Sequence, residues 1–419
     1  MKTLSLLAVV LGAVALASAC DDTGSTAASK MDGGSTPSGV APLEGSPPAL
    51  ISPSKRRDAS SSPVVYDSKR GGVWTANGDV GSISYVDITT PKVIQEVHAG
   101  KTLTSIALSP DGRWIAAVDR DGAGVALIDA ESRVVARTIA LGTHPRAAVW
   151  DAWDPRWLYV SVEDDAAIAV VDRTRGVLVR TIPVGRIPAG LGVSRLRHEL
   201  AVLHRVDARV TLVSLDGASF PADSQTPHAE VSLEDQTSDP DPAVPQGKPF
   251  AFESLAWAPD GNVAWLPHEL FAPTHPIQFQ TTVFPAVSVV DLAARAEVET
   301  DSTTGFIGGR KLLFDAINLL DATSNPSIIS QPCAAAFHPN GLMAYALACG
   351  SEDFLTFNAI DGVATDLLRD LPGDHPVGLA LDDAGARAFV LSDQSHTLLV
   401  VDTAGGSPVL HPKIVGQAI

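Results

Sequence analysis

The chain has 419 residues, 45% hydrophobic and 19% charged, with a formal net charge of -18. That length holds one large core or two small ones. So acidic a surface repels phosphate backbones and argues against a nucleic-acid partner; the one basic run, Lys55-Arg56-Arg57, stands in a polar tract and reads as solvated charge.

In chain order, residues 1–19 read as an export signal. Lys2 supplies a positive start, and "LSLLAVVLGAVALA" is too short to span a bilayer as a permanent helix. The small residues Ala17-Ser18-Ala19 before Cys20 resemble a bacterial lipobox, whose Cys is acylated and becomes the mature N-terminus. The alternative is an ordinary secretory signal with an incidental Cys. The lipobox reading implies a membrane partner through a lipid anchor on Cys20. It places the protein in the bacterial cell envelope, periplasmic or surface-exposed. Residues 20–62 are rich in Gly, Ser, Thr, Pro and Ala and bury too little to offset their ordering entropy, so a disordered tether is expected.

From residue 63 the chain repeats. Apolar runs ending in Asp recur at Asp87, Asp129, Asp172, Asp291 and Asp402, with Ser214 and Asn358 in the same place in two further copies. The first four positions, Asp87 to Ser214, are spaced by 42, 43 and 42 residues, and the last two, Asn358 and Asp402, by 44. A period near forty with four β-rich runs per unit is the signature of a propeller blade. In the second unit the runs are "LTSIALS", a Pro-Asp-Gly turn, "RWIAAVD", "GVALIDA" and "RVVARTIAL". Seven units fit: 63–100, 101–142, 143–185, 186–232, 249–302, 331–373 and 374–416. The expected fold is therefore all-β, a seven-bladed β-propeller of four-stranded antiparallel blades over 63–419. The Asp closing each third run should accept backbone N–H groups in the turn that follows, a role open to Ser214 and Asn358. Ring closure is expected from packing between the first and last blades, with residues 48–52 as a candidate extra outer strand.

Three segments break the period. One precedes unit five. "HELFAPTHPIQFQTT" interrupts unit five between its second and third runs. The third separates units five and six and has helical spacing over 312–320. Insertions map to loops, where binding is commonly found. His268, Glu269, Phe271, His275, Phe279 and Phe284 are accordingly the candidate binding loop. His268, Glu269 and His275, with Glu253 before them, match no metal-ligand spacing, so no metal is expected.

The units resemble the YVTN/YNCE-type seven-bladed propeller repeat. The resemblance is carried by Pro145, Pro188 and Pro376 at the strand starts, Ser109-Pro110-Asp111-Gly112 at a turn, Val170-Val171-Asp172 in a third strand and Val184-Gly185 at a unit end. Units five and six further resemble the propeller half of periplasmic proteins fused to di-haem, cytochrome c peroxidase-like modules. With Cys20, Cys333 and Cys349 alone, the chain has no C-x-x-C-H, so no haem or other cofactor is expected in it. The resemblance speaks to the fold and hardly to function; with no catalytic motif in the chain, the expected role is a non-catalytic binding or scaffold module with a protein or small-ligand partner. The alternatives are an accessory to a separately encoded di-haem partner or a lactonase-like hydrolase using polar groups at the channel mouth.

Cys333 and Cys349 flank the turn Pro339-Asn340-Gly341 nearly symmetrically, which suits a cross-strand disulfide in an exported chain; two free buried thiols are the alternative. His144 and His375, each before a Pro at the start of a first strand, should set an extended entry and keep the channel mouth polar, and a ring of such groups could instead hold an ion or ligand. No catalytic motif is present, and no catalytic residue is assigned.

Overall fold

The structure is a computed structural model that describes residues 41–216, 228–233, 245–274, 282–298, 311–312, 328–404 and 413–418. Cys20, the expected signal peptide and most of the helix expected at 312–320 lie outside these residues; Lys311–Leu312 is a short strand.

Seven antiparallel sheets, each running in sequence order from an inner strand A to an outer strand D, form a seven-bladed β-propeller. Blade 1 is Val64–Asp67, Gly72–Asn77, Ser82–Asp87 and Lys92–His98. Blade 7 is Pro376–Leu381, Arg387–Ser392, Thr397–Asp402 and Lys413–Ala418. Strands B and C are buried on both faces, which is why Gly124–Asp129 and Ala167–Asp172 read as continuous apolar runs. Strand D has one covered face, so Lys92–His98 alternates exposed with half-buried residues. The core is a set of seams between blades. Trp114, Val118, Val125 and Leu127 of blade 2 pack on Ala148, Trp150, Leu158 and Val160 of blade 3, and each large aliphatic side chain so buried contributes about 1.5–3 kcal/mol.

The turn chemistry follows the repeat. Asp129 Oδ1 accepts from the backbone N–H of Glu131 and Ser132 at 3.1 and 2.8 Å, and Asp291 does the same for Ala293 and Ala294. Asn358 and Ser214 serve Ile360 and Asp216 in the equivalent turns.

Blade 5 departs from expectation. Residues 268–271 and 283–284, expected in a loop, extend strands B and C into the nine-residue pair Val263–Phe271 and Val283–Asp291. Two short strands, Lys248–Phe250 and Ala256–Trp257, share the inner edge of this long hairpin, and Ala296–Glu297 and Lys311–Leu312 share its outer edge. The break in the period made the segment look like a loop; Lys248–Phe250, from before the first strand of the blade, pairs with residues 269–271 and continues the segment as strand.

Blades 1 and 7 each own four strands, so the ring closes by packing: Val73 and Val86 against Phe389 and Val400, with Tyr66 stacked on Phe389 at 5.7 Å. Residues 48–52 form no strand.

Instead, residues 41–62 strap the face that carries the A–B and C–D turns. Leu43 and Glu44 donate their N–H groups to the Thr174 carbonyl at 2.9 and 3.1 Å, and Ile51 donates to that of Trp153. Arg56 lies over the Trp153 ring, and His198 stacks on the same indole at 4.2 Å. Ala59–Ser60 then adds a strand inside blade 4, opposite Val193 and Gly192, and Ser62 bridges to Ile106 of blade 2. Composition placed these residues in the tether, because polar backbone contacts rather than apolar burial hold them.

The strap's anchor is Glu44, 8% exposed. Its carboxylate accepts from Trp114 Nε1 at 2.8 Å and pairs with Arg113 at 3.1 Å and Arg173 at 3.5 Å. Arg173 is itself fully buried and also pairs with Asp111 at 2.6 Å. Glu44→Ala leaves the Trp114 N–H unmet and halves the compensation of a buried guanidinium, so urea unfolding should show a loss of about 2–4 kcal/mol. A change below about 0.5 kcal/mol, the range of surface substitutions, would show that the strap is not anchored there.

Candidate channel-mouth site

The seven A strands surround a channel. The strap narrows it at the turn face, where Asp58 receives the Arg195 backbone N–H and guanidinium, both at 2.7 Å, and Trp257 Nε1 donates to the Ala59 carbonyl. A cavity of about 1160 Å³ remains. Ser60, Ser61 and Ser62 of the strap give it one hydroxyl-bearing wall, and Ala335, Phe337, Val377 and Leu381 give it an apolar one.

The other face, where the B–C turns lie, is the mouth. Blades 2 to 5 contribute one charge network there. Arg120 reaches Glu163 at 3.2 Å, Arg146 pairs with both Glu163 (3.3 Å) and Glu253, and Arg205 meets Glu253 at 2.9 Å. Burial alone would lower the pKa of the half-buried Arg146 guanidinium; the two carboxylates outweigh it and leave the value raised. The network is nearly neutral within itself, and each carboxylate is held between guanidinium groups.

Blade 7 adds His375, whose Nδ1 lies 2.8 Å from Asp393. That hydrogen bond raises the imidazole pKa against the effect of burial. His144 makes the same contact with Asp164 at 2.7 Å. Both histidines have φ of +55°, so the extended entry expected before Pro145 and Pro376 is corrected to a left-handed one. In this conformation the His144 carbonyl accepts from the Glu163 N–H of the B–C turn at 3.0 Å. The two imidazoles stay with their own blades' carboxylates. Among the described residues no group of three or more His, Cys, Asp or Glu could hold a metal ion.

Cys333 and Cys349 form a disulfide between strands A and B of blade 6, Cα atoms 5.9 Å apart, and both border the cavity. The fifth-unit residues are placed differently from one another. His268 and Phe284 are wholly buried, with His268 stacked on Phe252 at 4.7 Å. Phe271 packs edge-on against Phe250. Glu269 sits in the extended strand, opposite Phe250 and Pro285. His275 and Phe279 lie outside the described residues. The mouth residues Arg120, Glu163 and Arg205 carry no sequence signal of their own; only their recurrence in the B–C turns, one blade apart, could have grouped them.

Burial pushes the Glu269 carboxyl up to about 7, against a lowering hydrogen bond from the Gln331 backbone. A raised carboxyl pKa means that ionisation opposes folding. The cost appears as pH rises from the ordinary 4.5 and is complete above about 7. Glu269→Gln should therefore raise the thermal midpoint relative to wild type at pH 8 and leave it unchanged at pH 4.5. An equal difference at both values would contradict the buried placement of this carboxyl.

No protein-family model matches the chain, and no curated protein does. Solved structures do. Hydrazine synthase of Kuenenia stuttgartiensis aligns with a TM-score of 0.60 at 17% identity, over 81% of this chain and 95% of that one. A protein from Lactobacillus plantarum aligns at 0.57 and 17% identity, over 86% and 96%. A structure of dihydro-heme d1 dehydrogenase NirN in complex with DHE aligns at 0.52 and 16% identity, over 88% and 68%. At such identities the likeness shows the fold, a seven-bladed β-propeller, and nothing narrower.

Proposed function

We propose that the protein is an exported, lipid-anchored propeller of the YVTN/YNCE type that works as a non-catalytic binding module in the cell envelope, with the open mouth of its channel as the recognition surface. The observation that carries this is the asymmetry of the channel. The strap occupies the turn face, whereas the mouth presents Arg120, Glu163, Arg146, Glu253 and Arg205 as one preorganised polar surface. The long hairpin of blade 5 rises three residues beyond the six-residue strands of the other blades on that side, and His275 and Phe279 belong to its connection. Groups held by neighbours in this way lose little freedom on binding, which favours recognition.

A hydrolytic role is supported less. A general base needs a carboxylate or imidazole free to take a proton, and Glu163 and Glu253 are each spent on guanidinium groups.

Two experiments test the reading. Cys20→Ser should move the protein from the membrane to the soluble fraction and abolish palmitate labelling; persistence in the membrane without label in wild type would remove the anchor. A benzophenone amino acid placed at Arg205 should cross-link a partner in cells, and the same group at Ile94, exposed on the outer strand of blade 1, should not. Adducts from Ile94 alone would move recognition away from the mouth. Haem absorbance in the Arg205 adduct would favour the second reading, an accessory to a separately encoded di-haem protein, which rests on the resemblance of units five and six to the propeller half of such fusions.

A further inference from the structure

The seam between blades 7 and 1 is packed in one half only. Near the turn face it is filled by Val73, Val86, Phe389 and Val400. Toward the mouth face it opens into a separate cleft of about 460 Å³. The reason is a change of residue type on one face of blade 1. Opposed positions in its B and C strands hold Thr75 and Ser84, with Glu96 next to Ser84 on strand D. The corresponding pairs facing the preceding blade are Ala117–Ala126, Val160–Ala169, Ala346–Leu355 and Val390–Leu399 in blades 2, 3, 6 and 7. Blades 4 and 5 carry one hydroxyl each, and each has its own partner: Thr211 bonds His204 at 2.8 Å, and Ser288 bonds Glu297 at 2.7 Å. In blade 1 the polar groups open instead onto a cavity.

Their hydrogen-bond order is informative. Asn77 Nδ2 donates to Ser82 Oγ and to Ser84 Oγ, both at 2.9 Å, which uses both of its N–H groups. Ser82 donates to Glu96 Oε1, and Thr75 donates to Asn77 Oδ1 at 3.4 Å. The donors of Asn77, Ser82 and Thr75 are used within the network, the Ser84 hydroxyl accepts from Asn77, and the second Glu96 oxygen has no hydrogen bond among the described residues, so a charged acceptor faces the cleft. Val80, Val93, Leu391 and Leu398 supply aliphatic walls. At the rim, His396 of blade 7 is paired with Asp79 of blade 1 at 3.4 Å across the seam.

We propose that this cleft is a binding site for a small aliphatic ammonium compound, its cationic head on Glu96 and the Ser82–Ser84 hydroxyls and its hydrocarbon body against Leu391 and Leu398. A net charge of -18 favours cations near the surface generally, and the acceptor-rich head with an aliphatic wall selects those with a short carbon chain. A charge-assisted contact from an ammonium group to a carboxylate is stronger than a neutral one. The site lies in a seam rather than in the channel, so it stands whatever binds at the mouth.

Calorimetric titration at pH 7.5 of the full chain with n-pentylamine, n-pentanol and pentanoate provides the test. The amine should bind, the alcohol about tenfold or more weakly, and the carboxylate not at all. Glu96 is exposed at the rim, so Glu96→Gln should fold as wild type and weaken the amine by about tenfold or more while leaving the alcohol unchanged. Ser84→Ala should weaken the amine to a smaller degree. No amine binding at millimolar concentration, equal binding of amine and alcohol, or full amine affinity in Glu96→Gln would each overturn the assignment.

Discussion

The rest of the molecule depends on one constraint: strands B and C of every blade are buried, and largely apolar, on both faces. Neither face of such a sheet can meet water, so each blade needs a neighbour on both sides, and the array is satisfied only when it closes. Seven wedges close it without exchanging a strand between the ends. Val73 and Val86 of the first blade meet Phe389 and Val400 of the last as two interior blades would meet. Closure leaves an axial channel, because the A strands are too far apart to touch across it, and everything specific to this protein is built on how that channel and its seams are finished.

Two finishes differ in their physics. At the turn face the strap is held by charge and backbone. Glu44 enters a pocket of Arg173, Arg113 and the Trp114 indole, and Asp58 holds Arg195. A polar chain can cover a surface this way only if its few buried charges are fully compensated, which Arg173 shows by having carboxylates from both the strap and blade 2. Among the described residues no strap crosses the mouth face, and a network of guanidinium and carboxylate groups lines it. The disulfide between Cys333 and Cys349 joins strands A and B beside the cavity, tying the channel wall of blade 6 to its own core.

The seam between blades 7 and 1 shows the same contrast on a smaller scale. Where aliphatic side chains meet, the sheets touch. Where Thr75 and Ser84 replace them, with Glu96 beside, Asn77 and Ser82 link the hydroxyl and carboxylate groups and a cleft remains. Polar substitution at a seam thus changes both its chemistry and its width.

How much of this was legible in the chain follows from what is local. The period near forty, the Asp-closed third strands and the Pro-Asp-Gly turns are nearest-neighbour features, so blade number, strand order and turn roles, including those of Ser214 and Asn358, could be read directly. The disulfide partners could be read because a hairpin places Cys333 and Cys349 across from each other. The strap could not, since its contacts join residue 44 to residues 113 and 173, and a composition poor in large apolar residues gives no sign of a single buried carboxylate. The extended hairpin of blade 5 was masked by the break in the period, and the strand that pairs with residues 269–271, Lys248–Phe250, comes from a segment that only the folded blade brings alongside. Arg120, Arg146, Arg205, Glu163 and Glu253 come from four blades, and the amino-acid order holds no record of their meeting. The repeat by itself determined a closed ring of two-faced sheets; which face of that ring is covered, which is open, and which seam is left unfilled were decided only by contacts between residues far apart in the chain.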